Sequence, residues 1–169
     1  MRLFVAFTFT EDFRAELVRT QRALRRLGVS GGFTRPENLH LTLAFIGETD
    51  KAEAVKAALG TLEFAPVRLE LDGMGRFGDT IWAGLRPTRE LGAAADAVGK
   101  AIFAAGAGFK LEKHPFVPHV TLVRRAKPAD TPPYWPEAVS MTAEKLSLMS
   151  STVENGRRVY TEISARRLG

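Results

Sequence analysis

The chain has 169 residues, of which 45% are hydrophobic and 25% charged, and a formal net charge of +5. This composition is that of one globular domain and excludes a disordered or collagen-like chain. The positive charge favours an anionic partner such as a nucleic acid or a nucleotide, although many soluble proteins are mildly basic without one. Cysteine is absent, which excludes disulfide bonds, thiolate metal ligands and a cysteine nucleophile.

No segment has the sequence of a membrane span or a secretory signal. The apolar N-terminal segment is short and is followed at once by Glu11 and Asp12, whereas a signal peptide has a longer apolar core and small residues at a cleavage site. No run approaches the ~18 apolar residues that cross a bilayer. We therefore expect a cytoplasmic protein that does not associate with membranes. Since nothing in the sequence demands a partner chain, we also expect a monomer.

The first half of the chain predicts alternating strands and helices. Runs rich in β-branched and aromatic residues, or with alternating polarity, predict strands at residues 2–9, 39–47 and 67–74. Apolar residues at helical spacing predict helices at residues 10–28 and 50–62. Thr10 and Asp50 are the expected N-caps of these helices. A glycine-rich loop is expected between the first helix and the second strand.

The second half repeats this pattern. It predicts a strand at residues 80–87, a helix at residues 88–106 capped by Thr88, and a strand within "PHVTLVR". The two tail segments around "ENG" have the sequence of a β-hairpin. We therefore expect one domain over residues 1–169 that is built from two related units, residues 2–72 and 80–169.

The segment "GMGRFG" spells the G-x-G-x-x-G pattern of dinucleotide-binding loops. That pattern binds a pyrophosphate only when a helix follows, because the phosphates lie at the helix N-terminus. A strand is predicted to follow here, so we interpret the segment as a hairpin loop between two strands.

Each unit contains a strand that begins with histidine and carries threonine two residues later. The pairs are His40 with Thr42 and His119 with Thr121. Because side chains alternate along a strand, each pair shares one face about 6.6 Å apart, while the intervening apolar residues point into the core. Two related units can bring these faces together across one groove.

Two imidazoles and two hydroxyls around one groove suit displacement at phosphorus without a metal. One histidine can be neutral and the other protonated near neutral pH, so the pair can supply a base and an acid. The threonine hydroxyls can donate hydrogen bonds to the phosphate oxygens. A zinc site is disfavoured because prolines at 115 and 118 prevent a helix that would hold His114 and His119 together, and no carboxylate completes a ligand set. We expect no metal and no cofactor, and a loop position for His114.

The segments "RLFVAF", "RPENLHLTLAFIGE" and "PFVPHVTLVRR", with the tail "SS…ENGRRVYTEI", resemble the bacterial and archaeal RNA 2′,3′-cyclic phosphodiesterases. This family, also called 2′–5′ RNA ligases, belongs to the two-histidine phosphoesterase superfamily. The resemblance covers essentially the whole chain. It implies a bilobal α+β fold of two pseudo-symmetric antiparallel sheets backed by helices, with the active-site groove between the lobes. It also implies metal-independent hydrolysis of a terminal 2′,3′-cyclic phosphate of RNA, such as a tRNA fragment, to a 2′-phosphate.

Residue roles follow from the same resemblance. His40 matches the general acid that protonates the leaving 3′ oxygen, and His119 matches the general base that activates water. Thr42 and Thr121 match the phosphate-binding hydroxyls. Arg124 matches a basic substrate-binding position after the second motif, with Arg125 beside it as the alternative. Phe7, Phe9 and Phe45 are candidates for stacking on a base, although strand phenylalanines usually belong to the core.

Two other functions fit part of the pattern. One is a phosphoesterase for a small nucleotide cyclic phosphate, which a short groove would favour. The other is an RNA-end binding module without catalysis, against which the two complete His-x-Thr motifs argue. The reverse reaction, 2′–5′ ligation with an RNA 5′-hydroxyl in place of water, uses the same chemistry.

Overall fold

Nine strands and three α-helices form the described part of the chain, which in this computed structural model is residues 1–107, 115–128, 130 and 134–169. The strands are β1 (Arg2–Phe7), β2 (Ser30–Phe33), β3 (Leu41–Glu48), β4 (Val67–Phe77), β5 (Thr80–Leu85), β6 (His119–Lys127), β7 (Ser140–Ala143), β8 (Lys145–Glu154) and β9 (Arg157–Arg167). The helices are α1 (Glu11–Arg26), α2 (Ala52–Gly60) and α3 (Arg89–Ala104). The loop prediction for His114 lies outside the described residues.

The strands form two antiparallel sheets. The first has the order β3-β1-β8-β9 and the second the order β2-β6-β5-β4-β7. The predicted α+β class with two antiparallel sheets is therefore confirmed. Each sheet takes strands from both halves of the sequence, since β8 and β9 complete the first sheet whereas β2 and β4 lie in the second. The division into units 2–72 and 80–169 stays a prediction.

Local sequence signals explain most helix and turn boundaries. The hydroxyl of Thr10 accepts a hydrogen bond from the Phe13 amide at 3.4 Å, and Thr88 accepts one from the Leu91 amide at 3.1 Å, so both predicted caps are confirmed. The prediction of Asp50 as the cap of α2 is wrong. That helix begins later and has no side-chain cap, because the Thr49 hydroxyl binds the Lys51 amide instead.

The glycine-rich segment after Asp72 was predicted to be a hairpin loop, but most of it continues strand β4. β4 continues to Phe77, and the turn to β5 is formed by Gly78 and Asp79. Since β5 follows directly, no helix N-terminus is available to bind a pyrophosphate at this segment. The predicted tail hairpin is also confirmed: Asn155 and Gly156 have φ angles of 51° and 75° and connect β8 to β9, as a type I′ turn requires.

One hydrophobic core joins both sheets and the three helices. Alternate residues of β1 show how it is built: Leu3, Val5 and Phe7 are all fully buried in this core. Phe4, on the opposite face of the strand, packs with Met149 and Tyr160 in a smaller cluster. These cluster residues all belong to strands of the first sheet, and this second face leads into the site described below. Among the described residues, no helix is long and apolar enough to cross a membrane.

Candidate active site

The two His-x-Thr pairs meet in one pocket although they come from different sheets. His40 directly precedes β3 and Thr42 lies at its start, whereas His119 and Thr121 lie at the start of β6. The pocket has a volume of about 240 Å³ and is lined by Thr34, Asn38, His40, Thr42, His119, Thr121, Arg124 and Tyr160. All five residues singled out as a site from the sequence therefore line a single pocket.

The imidazole of His40 is held by hydrogen bonds at both nitrogens. Its Nδ1 lies 2.7 Å from the Asn38 carbonyl oxygen, and its Nε2 lies 2.9 Å from the Thr42 hydroxyl. A carbonyl oxygen can only accept a hydrogen bond, so Nδ1 carries a proton in either charge state of the ring. The proton that can be gained or lost is therefore the one on Nε2, and Thr42 is its immediate neighbour.

His119 is oriented by the same arrangement in the other sheet. Its Nδ1 lies 2.7 Å from the carbonyl oxygen of Val117, which, like Asn38 for His40, is two residues earlier in the chain. Nδ1 therefore carries a proton here as well, which leaves Nε2 as the nitrogen that can accept or donate one. Because one backbone geometry recurs at both motifs, the two imidazoles can play complementary parts with the same tautomer.

Aromatic rings flank each histidine. The His40 ring lies 4.8 Å from Phe4 and 5.1 Å from Tyr160, and the His119 ring lies 5.1 Å from Phe77 and 5.6 Å from Trp82. These contacts restrict rotation of the imidazoles and limit the access of water to them. None of the four aromatic residues was identified as a site residue from the sequence, because ring contacts between distant strands leave no local pattern.

The surroundings of His40 favour its neutral form in the empty pocket. Burial lowers the pKa of His40 from the ordinary value of 6.5; the hydrogen bond to the Asn38 carbonyl opposes this change, and the positive charges of Arg124 and His119 add to it. Burial has this effect because a charged imidazolium loses more by leaving water than a neutral ring does. A bound anion would instead raise the pKa of His40.

A β-bulge places Arg124 on the same face as His119 and Thr121. Simple alternation would point Arg124 to the core side, since its number is even and theirs are odd. Ile81 of β5 pairs with Val123 and the next residue, Trp82, pairs with Thr121, so β6 has one extra residue at this point. Leu122 and Val123 are consequently both buried and the alternation is reversed beyond them.

A matching bulge in β3 turns Phe45 toward the site. Val5 of β1 pairs with Ala44 and Ala6 pairs with Thr42, which leaves Leu43 as the extra residue. Phe45 follows Thr42 at the same interval at which Arg124 follows Thr121, and its side chain is 48% exposed. This exposure explains why Phe45, unlike the buried Phe7 and Phe9, can contact a ligand.

The described residues offer no ready site for a metal ion, since they contain no cluster of three histidine, aspartate or glutamate side chains. The donors at the pocket are two imidazoles, hydroxyls and an amide, and the charged neighbour is the Arg124 guanidinium. This set suits an anion better than a cation, because hard cations select carboxylate oxygens.

The fold and the paired histidines together are those of a two-histidine phosphoesterase. The sequence matches the family model of the 2′-5′ RNA ligase superfamily over residues 12–155. It is 32% identical to an RNA 2′,3′-cyclic phosphodiesterase of Escherichia coli over 96% of this chain and 93% of the relative, and 33% identical to one of Thermus thermophilus over 95% and 87%. The chain therefore belongs to the 2′-5′ RNA ligase superfamily.

Solved structures agree with this assignment. The chain superposes on apo E. coli LigT with a TM-score of 0.87 at 28% identity, covering 99% of this chain and 96% of that one. LigT complexed with 3′-AMP gives a TM-score of 0.85. The phosphodiesterase domain of MHV ns2, at 13% identity and a TM-score of 0.70, has the same fold.

Proposed function

We propose that this chain hydrolyses the terminal 2′,3′-cyclic phosphate of RNA to a 2′-phosphate, with His40 and His119 as its acid and base. The observation that carries the proposal is the convergence of two imidazoles from different sheets on one pocket, each with Nδ1 bound to a carbonyl and Nε2 available for proton transfer. The curated relatives are named RNA 2′,3′-cyclic phosphodiesterase, and the first of them matches 96% of this chain, which supports the same reaction here.

The reaction is an in-line displacement in which protons balance. Neutral His119 accepts a proton from water at Nε2 while the water oxygen bonds to phosphorus. The bond from phosphorus to the 3′ oxygen breaks, and protonated His40 donates its Nε2 proton to that oxygen. The product carries a 2′-phosphate and a 3′-hydroxyl, and proton exchange with solvent restores the two histidines.

The lowered pKa of His40 fits the acid role once the phosphate is bound. In the empty pocket, burial and the charge of Arg124 lower the pKa and favour the neutral ring. A cyclic phosphate carries one negative charge, which attracts a proton to the imidazole beside it and raises the pKa. Substrate binding thereby favours the protonated form of His40, which can donate the proton that the leaving 3′ oxygen needs.

Thr42, Thr121 and Arg124 would hold the phosphate oxygens through the reaction. The hydroxyls donate neutral hydrogen bonds and the guanidinium donates charge-assisted ones, which are the stronger kind. Such donors accelerate the reaction when they face the oxygens on which negative charge builds up. No metal is required by this scheme, because acid, base and charge stabilisation all come from side chains.

An oligoribonucleotide ending in a 2′,3′-cyclic phosphate tests the proposal when it is incubated with the protein in EDTA. We expect conversion to a 2′-phosphate end, identified by 2′- and 3′-phosphate standards. His40→Ala and His119→Ala should each lose roughly 10²–10⁴-fold in kcat, the range for removal of a general acid or base, while their circular dichroism matches the wild type. If the protein bound this RNA tightly but did not convert it, the proposed reaction would be wrong and an RNA-end binding module would be favoured.

A further inference from the structure

A second groove adjoins the catalytic pocket on its His40 side and carries a strong positive charge. Its volume is about 610 Å³, and it shares Thr34, Asn38, His40, Thr42, Arg124 and Tyr160 with the pocket. Six arginines line it: Arg2, Arg35, Arg124, Arg125, Arg157 and Arg158. No aspartate or glutamate is among its lining residues in the described part of the chain. Such a concave surface attracts a ligand with several negative charges.

In the described part of the chain, most arginines of this groove lack an ion-pair partner. Of the six, only Arg35 has an ion-pair partner among the described residues, Glu37 at 3.3 Å. Arg158 instead donates to the Ser151 hydroxyl at 3.1 Å, and the guanidinium of Arg2 lies 5.1 Å from the centre of the Phe45 ring. Arginines that only increase solubility are normally interspersed with carboxylates over the surface, and are not expected to cluster in one groove without them.

The backbone is strained where it brings Arg125 to the groove beside Arg124. Successive strand residues normally face opposite sides, but Arg125 has a φ angle of +53°, a left-handed conformation that non-glycine residues seldom adopt. The pairing of Ser30 with Lys127 and of Gly32 with Arg124 marks a second bulge here. An observed backbone outlier of this kind is a sign of function, because the strain must be offset by the surrounding structure.

The far wall of the groove is fixed to the segment that orients His40. The carbonyl oxygen of Arg158 in β9 accepts hydrogen bonds from the side chains of Asn38, at 3.0 Å, and Arg35. Asn38 also provides the carbonyl that binds His40 Nδ1. The β8–β9 hairpin and the catalytic imidazole therefore have a common support, and a ligand on the hairpin is held in register with the pocket.

We propose that this arginine groove binds the phosphates of the RNA strand that precede the cyclic end, so that the enzyme prefers an oligonucleotide to a mononucleotide. The inference rests on the proposed function and on its assignment of His40 to the 3′ oxygen. The ribose bearing that oxygen then lies on the His40 side, and the 5′-phosphate of the same nucleotide leads into the groove. The catalytic pocket, at about 240 Å³, is smaller than the roughly 300–1,000 Å³ of sites that enclose a small organic ligand.

Paired substrates separate this inference from the proposed function. We would compare kcat/KM for a 2′,3′-cyclic mononucleotide and for a tetranucleotide with the same cyclic end, in wild type and in Arg125→Gln/Arg157→Gln. The matched control, Arg22→Gln/Arg68→Gln, removes the same charge from exposed residues that do not line the groove. We expect the tetranucleotide-to-mononucleotide ratio to fall about tenfold in the groove variant only, since each exposed ion pair contributes modestly to binding.

Salt dependence provides a readout that does not need turnover. For binding of the tetranucleotide with a 2′-phosphate end, log K falls as log[salt] rises. This slope should become shallower by about 1.4 in the groove variant, because two contacts are removed and each phosphate contact on a single strand contributes about 0.7. The inference would be overturned if both double variants changed the ratio and the salt slope equally, or if neither quantity changed in the groove variant. Hydrolysis of the mononucleotide would still support the proposed reaction in that case. If the wild-type protein hydrolysed neither substrate, but the groove variant still had a shallower salt slope than the control variant, only the proposed function would be overturned.

Discussion

At the residue scale, the carbonyl oxygens of Asn38 and Val117 determine the chemistry of the site. Each fixes the proton on Nδ1 of the histidine two residues later, so that only Nε2 can exchange a proton with substrate or water. The threonine beside His40 lies 2.9 Å from that nitrogen. A histidine followed two residues later by threonine thus has a physical reason, since one strand face orients both groups toward one pocket.

The pH dependence should reveal the environment of His40. As the acid, His40 acts when protonated, so activity falls as pH rises through its pKa. Burial and nearby positive charge lower this pKa in the free enzyme, whereas a bound phosphate anion raises it. The alkaline limb of kcat/KM, which reports the free enzyme, should therefore lie at lower pH than that of kcat, which reports the complex. Coincident alkaline limbs in steady-state profiles would contradict the account.

Phe45 should stack on a base of the substrate. Its ring is 48% exposed on the wall of the arginine groove, and base–aromatic stacking contributes about 1–3 kcal/mol. We expect Phe45→Ala to raise KM for a cyclic-ended oligonucleotide at least about fivefold, the lower end of that range, with little change in thermal unfolding. Phe103→Ala, which removes a 59% exposed ring that lies outside the groove, is the control. An equal KM for both variants would exclude the stacking role.

At the element scale, β-bulges rather than regular strands build the site. Thr10, Thr88 and the Asn155–Gly156 turn act through neighbours in sequence, so the sequence predicted them correctly. Arg124 was placed at the site by resemblance, and alternation alone would have put it in the core. The bulges that bring Arg124 to the pocket and Phe45 to the adjoining groove depend on pairing with distant strands. Short β2, within a predicted loop, was missed because its sequence, "SGGF", is poor in strand-forming residues.

Gly31 should be essential for the bulge at Arg124 and Arg125. A Cβ at this position would lie 2.8 Å from both of their carbonyl oxygens, and Gly31 has a φ angle of +146°. Gly31→Ala must therefore shift β2 away from β6 and move both arginines. We expect a loss of activity on an oligonucleotide and a loss of about 1 kcal/mol or more in the free energy of unfolding.

Gly28→Ala is the matched control for this variant. Gly28 also has a positive φ angle, +92°, but a Cβ there would meet no atom within 4 Å. Gly28→Ala should lower the free energy of unfolding, measured by denaturant unfolding, because of backbone strain, but it should not lose activity. Equal losses of activity in both variants would show that strain, and not the bulge contact, is responsible.

At the scale of the whole molecule, pairing between the two halves of the sequence holds the site together. β1 pairs with β8, β2 with β6 and β4 with β5. Periodicity in the sequence predicted most of these strands and the α+β class. Outside the predicted β4–β5 and β8–β9 hairpins, it could not predict which strands pair, because such pairing depends on contacts between segments far apart in the chain.

Fragments cut at the Gly78–Asp79 turn test this interdependence. Because each sheet takes strands from both halves, residues 1–78 and 79–169 should each lack a cooperative unfolding transition when expressed alone. Coexpressed, they should form a folded complex with measurable activity, as the cut lies in an exposed turn. Thermal melts followed by circular dichroism would decide the matter, and a cooperative transition in either isolated fragment would contradict the prediction.

The central claim, that His40 is the acid and His119 the base, is tested most directly by changing the leaving atom. A terminal cyclic phosphate with sulfur in place of the 3′ oxygen needs no acid, because a thiolate is a far better leaving group than an alkoxide. The account predicts that His40→Ala, impaired roughly 10²–10⁴-fold on the oxygen substrate, recovers near wild-type turnover on the sulfur substrate, whereas His119→Ala stays impaired on both. Recovery in His119→Ala instead of His40→Ala, or in neither variant, would contradict these roles.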